Sequence, residues 1–469
     1  MRKRSENIIL ENVPVTAYAA EGRSLARVEG KVVFIENAVP GDVVDVKLSK
    51  SKKDWAEGFA INIRKYSDDR VQPFCSHFGI CGGCQWQMLP YEKQLQYKQQ
   101  QVEDNLQRIG KLALPPVSRI LGAGKSTHYR NKMEYTFGTK RFLPREELGV
   151  LGISADEPVA GFHAKGFFDK IVDIDTCWLQ EEPSNQIRKA VKAFAIQHEI
   201  PFYDIRAHAG CVRTMQIRIC TTGEIMVNIV LAFEDENLRP LLDHLLQSFP
   251  SITTLLYTIN NKKNDSLNDL EPRIYHGRGY VVEKLGAFQF KIGPKSFFQT
   301  NTKQAEILYQ VTRNFAELSG NEIVYDLYCG TGSIGIFVSG QAKKIIGVES
   351  IAEAVNDAKE NASHNGISHA EFFCGDVMQV CTDDFFQRHG KPDVIITDPP
   401  RAGMHWKLVR KILDMEARTI VYVSCNPATQ ARDLNLLGEK YEVTGIQPVD
   451  MFPHTLHIEN VVQLKLKRI

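Results

Sequence analysis

The run Ile323-Val324-Tyr325-Asp326-Leu327-Tyr328-Cys329-Gly330-Thr331-Gly332-Ser333-Ile334-Gly335 decides the fold. It reads as an apolar strand with an acid near its end, a glycine-rich turn, and the opening of a helix. Glycines in such a turn let the backbone approach a ligand closely. Taken singly this is a weak sign, because tight turns without ligands are common. The register around it adds weight: apolar strands at Ile323–Leu327, Lys344–Val348, Val394–Thr397 and Ile420–Ser424 alternate with helix-like segments. That alternation predicts a doubly wound, Rossmann-like α/β sheet. The break at Ile292-Gly293-Pro294 marks the entrance to this domain, residues 291–469.

The strand ends carry the chemistry. Glu349 closes the second strand, placed for a ribose hydroxyl pair, and Asp376 follows the third, where an adenine amino group can be held. A dinucleotide-binding fold would share both. Asp398-Pro399-Pro400-Arg401 at the end of the fourth strand points instead to an S-adenosyl-L-methionine methyltransferase, where that position meets the target base. The fifth strand ends in Ser424-Cys425-Asn426-Pro427, at the carboxyl edge where α/β sheets place their sites. An arbitrary cysteine is usually inert packing. Here the Asn-Pro turn presents the side chain, so Cys425 reads as a nucleophile. A thiolate suits one difficult target: C5 of uracil is a poor nucleophile until a thiolate adds to C6, and a base must then remove the C5 proton. His457-Ile458-Glu459-Asn460 precedes a closing strand and supplies Glu459; by chemistry alone His454 and His457 compete with it, and a surface glutamate is the bland alternative.

Upstream the pattern changes. Residues 1–65 read as short strands such as Val32-Val33-Phe34-Ile35 and Val43–Leu48, separated by turn signals, which suggests a small barrel. Lys47, Lys50, Lys52 and Lys53 fall close together, with Arg64-Lys65 after them. Such a run is either a solvated hairpin tip or, beside Phe34, Trp55 and Phe59, a nucleic-acid surface. A cysteine-rich loop spans 73–90, and Tyr91–Ile109 has a helical pattern that Gly110 would end as its C′ residue. From about 120 to 290 strands and helices mix, so residues 66–290 form a central α+β domain, with helix 91–110 free to pack on the domain that follows.

The 469 residues exceed one ordinary domain, and two to four is the expectation. Lys plus Arg number 57 against 56 Asp plus Glu, which excludes a histone-like basic class but not a local basic face. Ten cysteines are too few for a disulfide scaffold in a chain this long. The basic start Met1-Arg2-Lys3-Arg4 is followed by only Ile8, Ile9 and Leu10 as an apolar run. A signal-peptide core needs about 7–15 apolar residues and a spanning helix about 20. A cytoplasmic protein with reduced thiols and no membrane partner is therefore expected.

Gly293–Asn301, the Asp326–Gly335 turn, Asp398-Pro399-Pro400-Arg401-Ala402-Gly403, Ser424–Pro427 and His457–Val461 occur in the order of one family, and the chain resembles the RNA uracil-5-methyltransferases over its last 180 or so residues. The resemblance implies that Gln299, Tyr328, Glu349 and Asp398 line the S-adenosyl-L-methionine site, with Asp376 beside them, that Cys425 is the nucleophile and that Glu459 is the base. Ser333 stands where relatives often have Asn. Glu21–Phe34 with Val39-Pro40-Gly41-Asp42 is similar to the TRAM domain, which implies that residues 1–65 form an OB-like RNA-binding barrel. Cys75, Cys81, Cys84 and the distant Cys177 are similar to the four-cysteine iron–sulfur site of the ribosomal branch. From spacing alone zinc and iron–sulfur stand equal; the resemblance implies a closed 4Fe–4S cluster, and the five-residue gap does not suit a radical S-adenosylmethionine enzyme. Tyr129-Arg130-Asn131-Lys132 resembles part of the family's central domain, where Arg130 and Lys132 would meet phosphate.

The expected activity is formation of 5-methyluridine in RNA, 23S ribosomal RNA foremost and transfer RNA as the alternative, with no obligate protein partner. Two rival classes remain: a cluster-containing RNA-binding factor with a vestigial methyltransferase fold, and a methyltransferase of small molecules or proteins.

Overall fold

The structure is a computed structural model and describes residues 8–19, 22–111 and 113–468. The basic start and Glu21 of the barrel motif lie outside the described residues. At the N-terminal end, six strands pair in the order Ile9–Pro14, Val43–Ser51, Trp55–Lys65, Lys31–Glu36, Ser24–Val28, Ala17–Tyr18. Alternation along them sends Val33, Ile35, Val44, Val46 and Ala56 into one small core. Lys52 and Lys53 sit at an exposed hairpin tip, and Lys50 lies over the Trp55 ring at 4.7 Å.

A second, seven-stranded sheet forms the middle of the molecule, in the order Arg273–His276, Ile252–Ile259, Ile225–Leu231, Val212–Ile219, Lys132–Lys140, Asp156–His163, Ile171–Asp173. Its one parallel pair, Ile225–Leu231 with Ile252–Ile259, is bridged by the helix Leu238–Ser248. That helix and Ser184–Gln197 bury their apolar stripes on this sheet.

The C-terminal sheet runs Ala370–Cys374, Lys344–Glu349, Ile323–Leu327, Val394–Thr397, Thr419–Ser424, Glu459–Leu466, Tyr441–Val449. The first five strands are parallel, and Glu459–Leu466 runs antiparallel to both of its neighbours. Chain order reverses between Ile323–Leu327 and Val394–Thr397, and a crevice at that switch point is where open α/β sheets take ligands. One face is covered by the helices Thr302–Ala316, Ser333–Val338 and Ala352–His364 together with the hairpin Val281–Leu285/Phe288–Ile292. The hairpin's Val281, Leu285, Phe290 and Ile292 are core residues of this domain, so its packing begins ahead of the Gly293-Pro294 break. The other face is covered by Trp406–Met415, Pro427–Leu437 and the distant helix Tyr91–Asn105, whose Val102 joins Ile346 and Tyr422.

That distant helix does not end as its sequence suggests. It widens into a π-helical turn over Leu106–Gly110, and the left-handed residue is Lys111 (φ 51°), not Gly110. Gly110 packs against Ala431 and its carbonyl accepts from Asn435, so contact with the Pro427–Leu437 helix sets the end. Lys98 on this helix is fully buried and donates to Asp450 at 2.6 Å. Among the described residues no helix is long and apolar enough to cross a membrane.

A lone charge left in a core by removal of its partner costs about 3–5 kcal/mol. Lys98→Met should lower the free energy of urea unfolding by that amount, and Lys98→Met combined with Asp450→Asn should lose less; equal losses would show that the pair is not what holds the helix.

Candidate active site at the switch point

The glycine-rich turn is shaped by backbone requirements. Tyr328, Gly330 and Gly332 all have left-handed φ, at 62°, 53° and 76°. For Tyr328 that conformation is uncommon, and the backbone N–H groups of Tyr328 and Cys329 both donate to the Val348 carbonyl, at 3.0 and 3.2 Å. Asp326 is fully buried and one of its oxygens accepts from the Gly335 N–H at 2.8 Å, pinning the helix start. Its other oxygen has no hydrogen-bond partner among the described residues, and burial pushes the carboxyl up to about 7.

Glu349 is fixed at its strand end by the Gly330 N–H (3.2 Å), the Ile351 N–H (3.0 Å) and Ser350 (3.1 Å). Asp376 is exposed and caps the short helix Val377–Val380 by accepting from the Met378 N–H at 2.7 Å. Gln299 is buried, and its loop is held by Asn131, which donates to the Gln299 carbonyl at 2.9 Å. Among the described residues, no atom beyond its chain neighbours stands within 4 Å of a Cβ imagined at Gly330, so the turn is open there. An open turn with an immobilised carboxylate behind it suits a nucleoside with a cationic sulfonium.

Around Cys425, Asn426 caps the helix Pro427–Leu437 by accepting from the Ala428 N–H (3.1 Å) and donates to the Arg401 carbonyl (3.1 Å). This locks the Asp398–Arg401 turn to the Cys425 turn. Asn460, beside Glu459, donates to Gln430 at 2.7 Å, and Gln430 donates back to the Asn460 carbonyl, so the Glu459 strand is tied to the same helix. Glu459 is 5% exposed; burial, and then the neighbouring Asp398, hold its carboxyl well above the usual carboxylate range, while Arg401 opposes them. Asp398 is pushed up by burial to about 7. Two carboxyls in one dry site cannot both ionise freely, and such a pair holds and moves a proton near neutral pH.

Burial, then the Glu459 and Asp398 charges, push the Cys425 thiol up to about 11, and Arg401 pulls it back. The free enzyme therefore keeps this thiol protonated. The two histidines each lean on a neighbouring side chain. His454 is buried, its N–H donates to Gln94 Oε1 at 2.8 Å, and its ring faces Gln94 Nε2 at 3.1 Å. His457 contacts Arg401 at 2.5 Å. Burial and neighbouring cations push both histidines down to about 4.

Arg401 is the residue the sequence reading passed over; it stood inside the Asp398–Gly403 motif but drew no role of its own. Ser333 contacts the Tyr309 hydroxyl at 2.8 Å.

Cys75, Cys81, Cys84 and Cys177 lie around one cavity of about 990 Å³, which Arg130, Lys132, Arg218, Phe297 and Thr300 also line. Cys81 bridges to the Ala164 backbone, and Cys177 donates its N–H to Asn185 at 2.8 Å. Burial pushes Cys81 up to about 11 and Cys84 to about 12, and the cysteines raise one another. Among the described residues no three Cys, His, Asp or Glu side chains converge to hold a single metal ion.

A family profile described as tRNA (Uracil-5-)-methyltransferase matches residues 270–467, and one described as TRAM domain matches 11–61. An uncharacterized RNA methyltransferase of Bacteroides thetaiotaomicron is 51% identical over 96% of this chain and all of its own length. One of Porphyromonas gingivalis is 47% identical over 96% of this chain and 98% of its own. The solved Pyrococcus abyssi tRNA (uracil-54, C5)-methyltransferase in complex with S-adenosyl-L-homocysteine superposes with a TM-score of 0.76 at 27% identity, over 97% of this chain and 99% of its own.

Only the thiolate alkylates readily. At pH 8 Cys425 should react with iodoacetamide on the order of a hundredfold more slowly than an ordinary exposed thiol. Glu459→Gln, by removing a negative neighbour, should speed it. Peptide mass spectrometry reads both, and an unchanged rate in the variant would dissociate the two groups.

Proposed function

The chain belongs to the RNA uracil-5-methyltransferase family, and from that premise we propose that it makes 5-methyluridine through a covalent Cys425 adduct. S-adenosyl-L-methionine supplies an electrophilic methyl group; Gln299, Tyr328, Glu349, Asp376 and Asp398 would hold it. The observation that carries the reading is the raised, mutually repelling pair Asp398 and Glu459 beside the Cys425 thiol. The Cys425 sulfur, once its proton has passed to solvent, bonds to C6 and places electron density on O4 and C5. C5 then takes the methyl group as the bond from that carbon to the sulfonium sulfur breaks, and S-adenosyl-L-homocysteine leaves. Glu459, ionised at that stage, then removes the C5 proton; the C5–C6 double bond returns and the sulfur leaves. Desolvation raises the basicity of Glu459, which suits a carbon acid. A base held in a stack cannot reach this crevice, so the uridine is flipped out, at least cost from a loop.

Four cysteines that line one cavity and raise one another's thiols suit a 4Fe–4S body, the group that the family resemblance implies. Cys75, Cys81, Cys84 and Cys177 would hold it. With four protein ligands it would be closed, and its place beside Arg130 and Lys132 suits RNA positioning.

Ribosomal RNA is the substrate we place first, on the barrel and the four cysteines. The similarity to the Pyrococcus transfer RNA enzyme over nearly the whole chain favours a second reading, transfer RNA. Labelled cofactor offered with total RNA, followed by nucleoside analysis of separated ribosomal and transfer fractions, decides between them. Label only in protein or small molecules would sink both.

Cys425→Ala should abolish methyl transfer while RNA binding survives. Glu459→Gln should trap an RNA adduct stable on denaturing gels; release as fast as wild type would move the proton to another base. Anaerobically purified protein should contain iron and acid-labile sulfide, lost in Cys84→Ser; zinc without iron would overturn the cluster.

A further inference from the structure

Asn131 lies in the central domain yet every polar group it has is used, and most of them face the cofactor loop. It is 4% exposed. Its side-chain amide donates to the Gln299 carbonyl at 2.9 Å and to the Thr302 hydroxyl at 2.8 Å. Its backbone N–H donates to the Thr300 carbonyl at 2.7 Å. Its backbone carbonyl accepts from Ile219 (2.8 Å) and Gln180 (3.1 Å). Its side-chain oxygen accepts from Arg218 at 3.1 Å. Arginine can only donate, so the amide can stand only one way round, with its NH2 group toward Gln299 and Thr302. Thr302 in turn donates to the buried Glu283 at 2.8 Å. A chain Arg218–Asn131–Thr302–Glu283 thus crosses from the central sheet to the loop, with a charge at each end.

The loop is held at its other end as well. Asn301 holds its far end by donating to the Met451 carbonyl at 2.9 Å. Between Phe298 and Asn301 the backbone is not part of a helix or strand, so its path depends on these bonds. Hydrogen bonds in a site this dry are strong, and leaving one partner unmet is costly.

We propose that Asn131 is a positioning residue for Gln299: it sets the main chain on which the Gln299 side chain faces the cofactor, so that the central domain tunes cofactor affinity. The inference rests on the cofactor role of Gln299 proposed above. Asn131→Asp keeps the size and the Arg218 bond but places an acceptor against the Gln299 carbonyl. It should weaken S-adenosyl-L-homocysteine binding by about tenfold in calorimetry and raise KM for S-adenosyl-L-methionine similarly, with kcat within about twofold. Gln299→Ala should weaken binding too, and the double variant should bind no more weakly than Gln299→Ala alone, because both remove one interaction. Additive losses mean general loosening and overturn the proposal, as does wild-type binding by Asn131→Asp. Wild-type binding by Gln299→Ala overturns it together with the cofactor role of Gln299, a failure recognisable because that variant alone reports it. Thermal unfolding checks each variant, and if Asn131→Asp does not fold, Asn131→Ser and Thr302→Val enter the same cycle with the same expected outcomes.

Discussion

The buried Lys98–Asp450 ion pair is the interaction on which the site's geometry depends. Burial of two charges is unfavourable unless their remaining bonding capacity is met. Here it is. Asp450 also accepts from the Tyr91 hydroxyl (2.8 Å) and the Phe452 N–H (3.1 Å), and Lys98 also donates to the Phe452 carbonyl (3.1 Å). The pair fixes the segment 450–458, and that segment leads directly into Glu459. Four other parts of the chain meet it. Tyr129 donates to the Pro453 carbonyl, Asn301 to that of Met451, and the N–H groups of Gln85 and Trp86 to that of His454. Gly22 of the N-terminal barrel lies so close to Leu456 that any side chain there would collide with it.

This convergence explains why a helix from the N-terminal half is part of the C-terminal core. Val102 and Leu106 fill the outer face of the sheet, where another α/β protein would use a helix from the same domain. The strand-end crevice is consequently supported by parts of the chain far apart in sequence. Its edge comes from the parallel strands, Glu459 follows a segment clamped by residues 85–98, and the Gln299 loop is held by Asn131.

The sheet was legible because its strands are buried on both faces and read as unbroken apolar runs. Ile323–Leu327 and Val394–Thr397 lie where their hydrophobicity places them. Glu349, Asp398, Cys425 and Glu459 were legible for a related reason: they stand where apolar runs stop, and parallel strands bring such ends to one edge. The end of the helix at 105–111 was misread because Gly110 is a good local stop signal, whereas packing on the Pro427–Leu437 helix carries the turn past it. Arg401 and Asn131 gave no periodic signal. Their importance comes from partners distant in sequence, and a hydrogen bond between distant residues leaves no mark on local pattern.

By itself the sequence determined the doubly wound sheet, the reactive residue types at its strand ends, and the four cysteines set apart from the rest. Those follow from hydrophobic periodicity and from chemistry, both readable one segment at a time. Tertiary structure alone decided that the Asp398 and Glu459 charges act on Cys425, that His457 sits on Arg401 and His454 on Gln94, and that the four cysteines line one cavity. Desolvation and charge repulsion depend on what surrounds a group in three dimensions, and that surrounding exists only once the chain has folded.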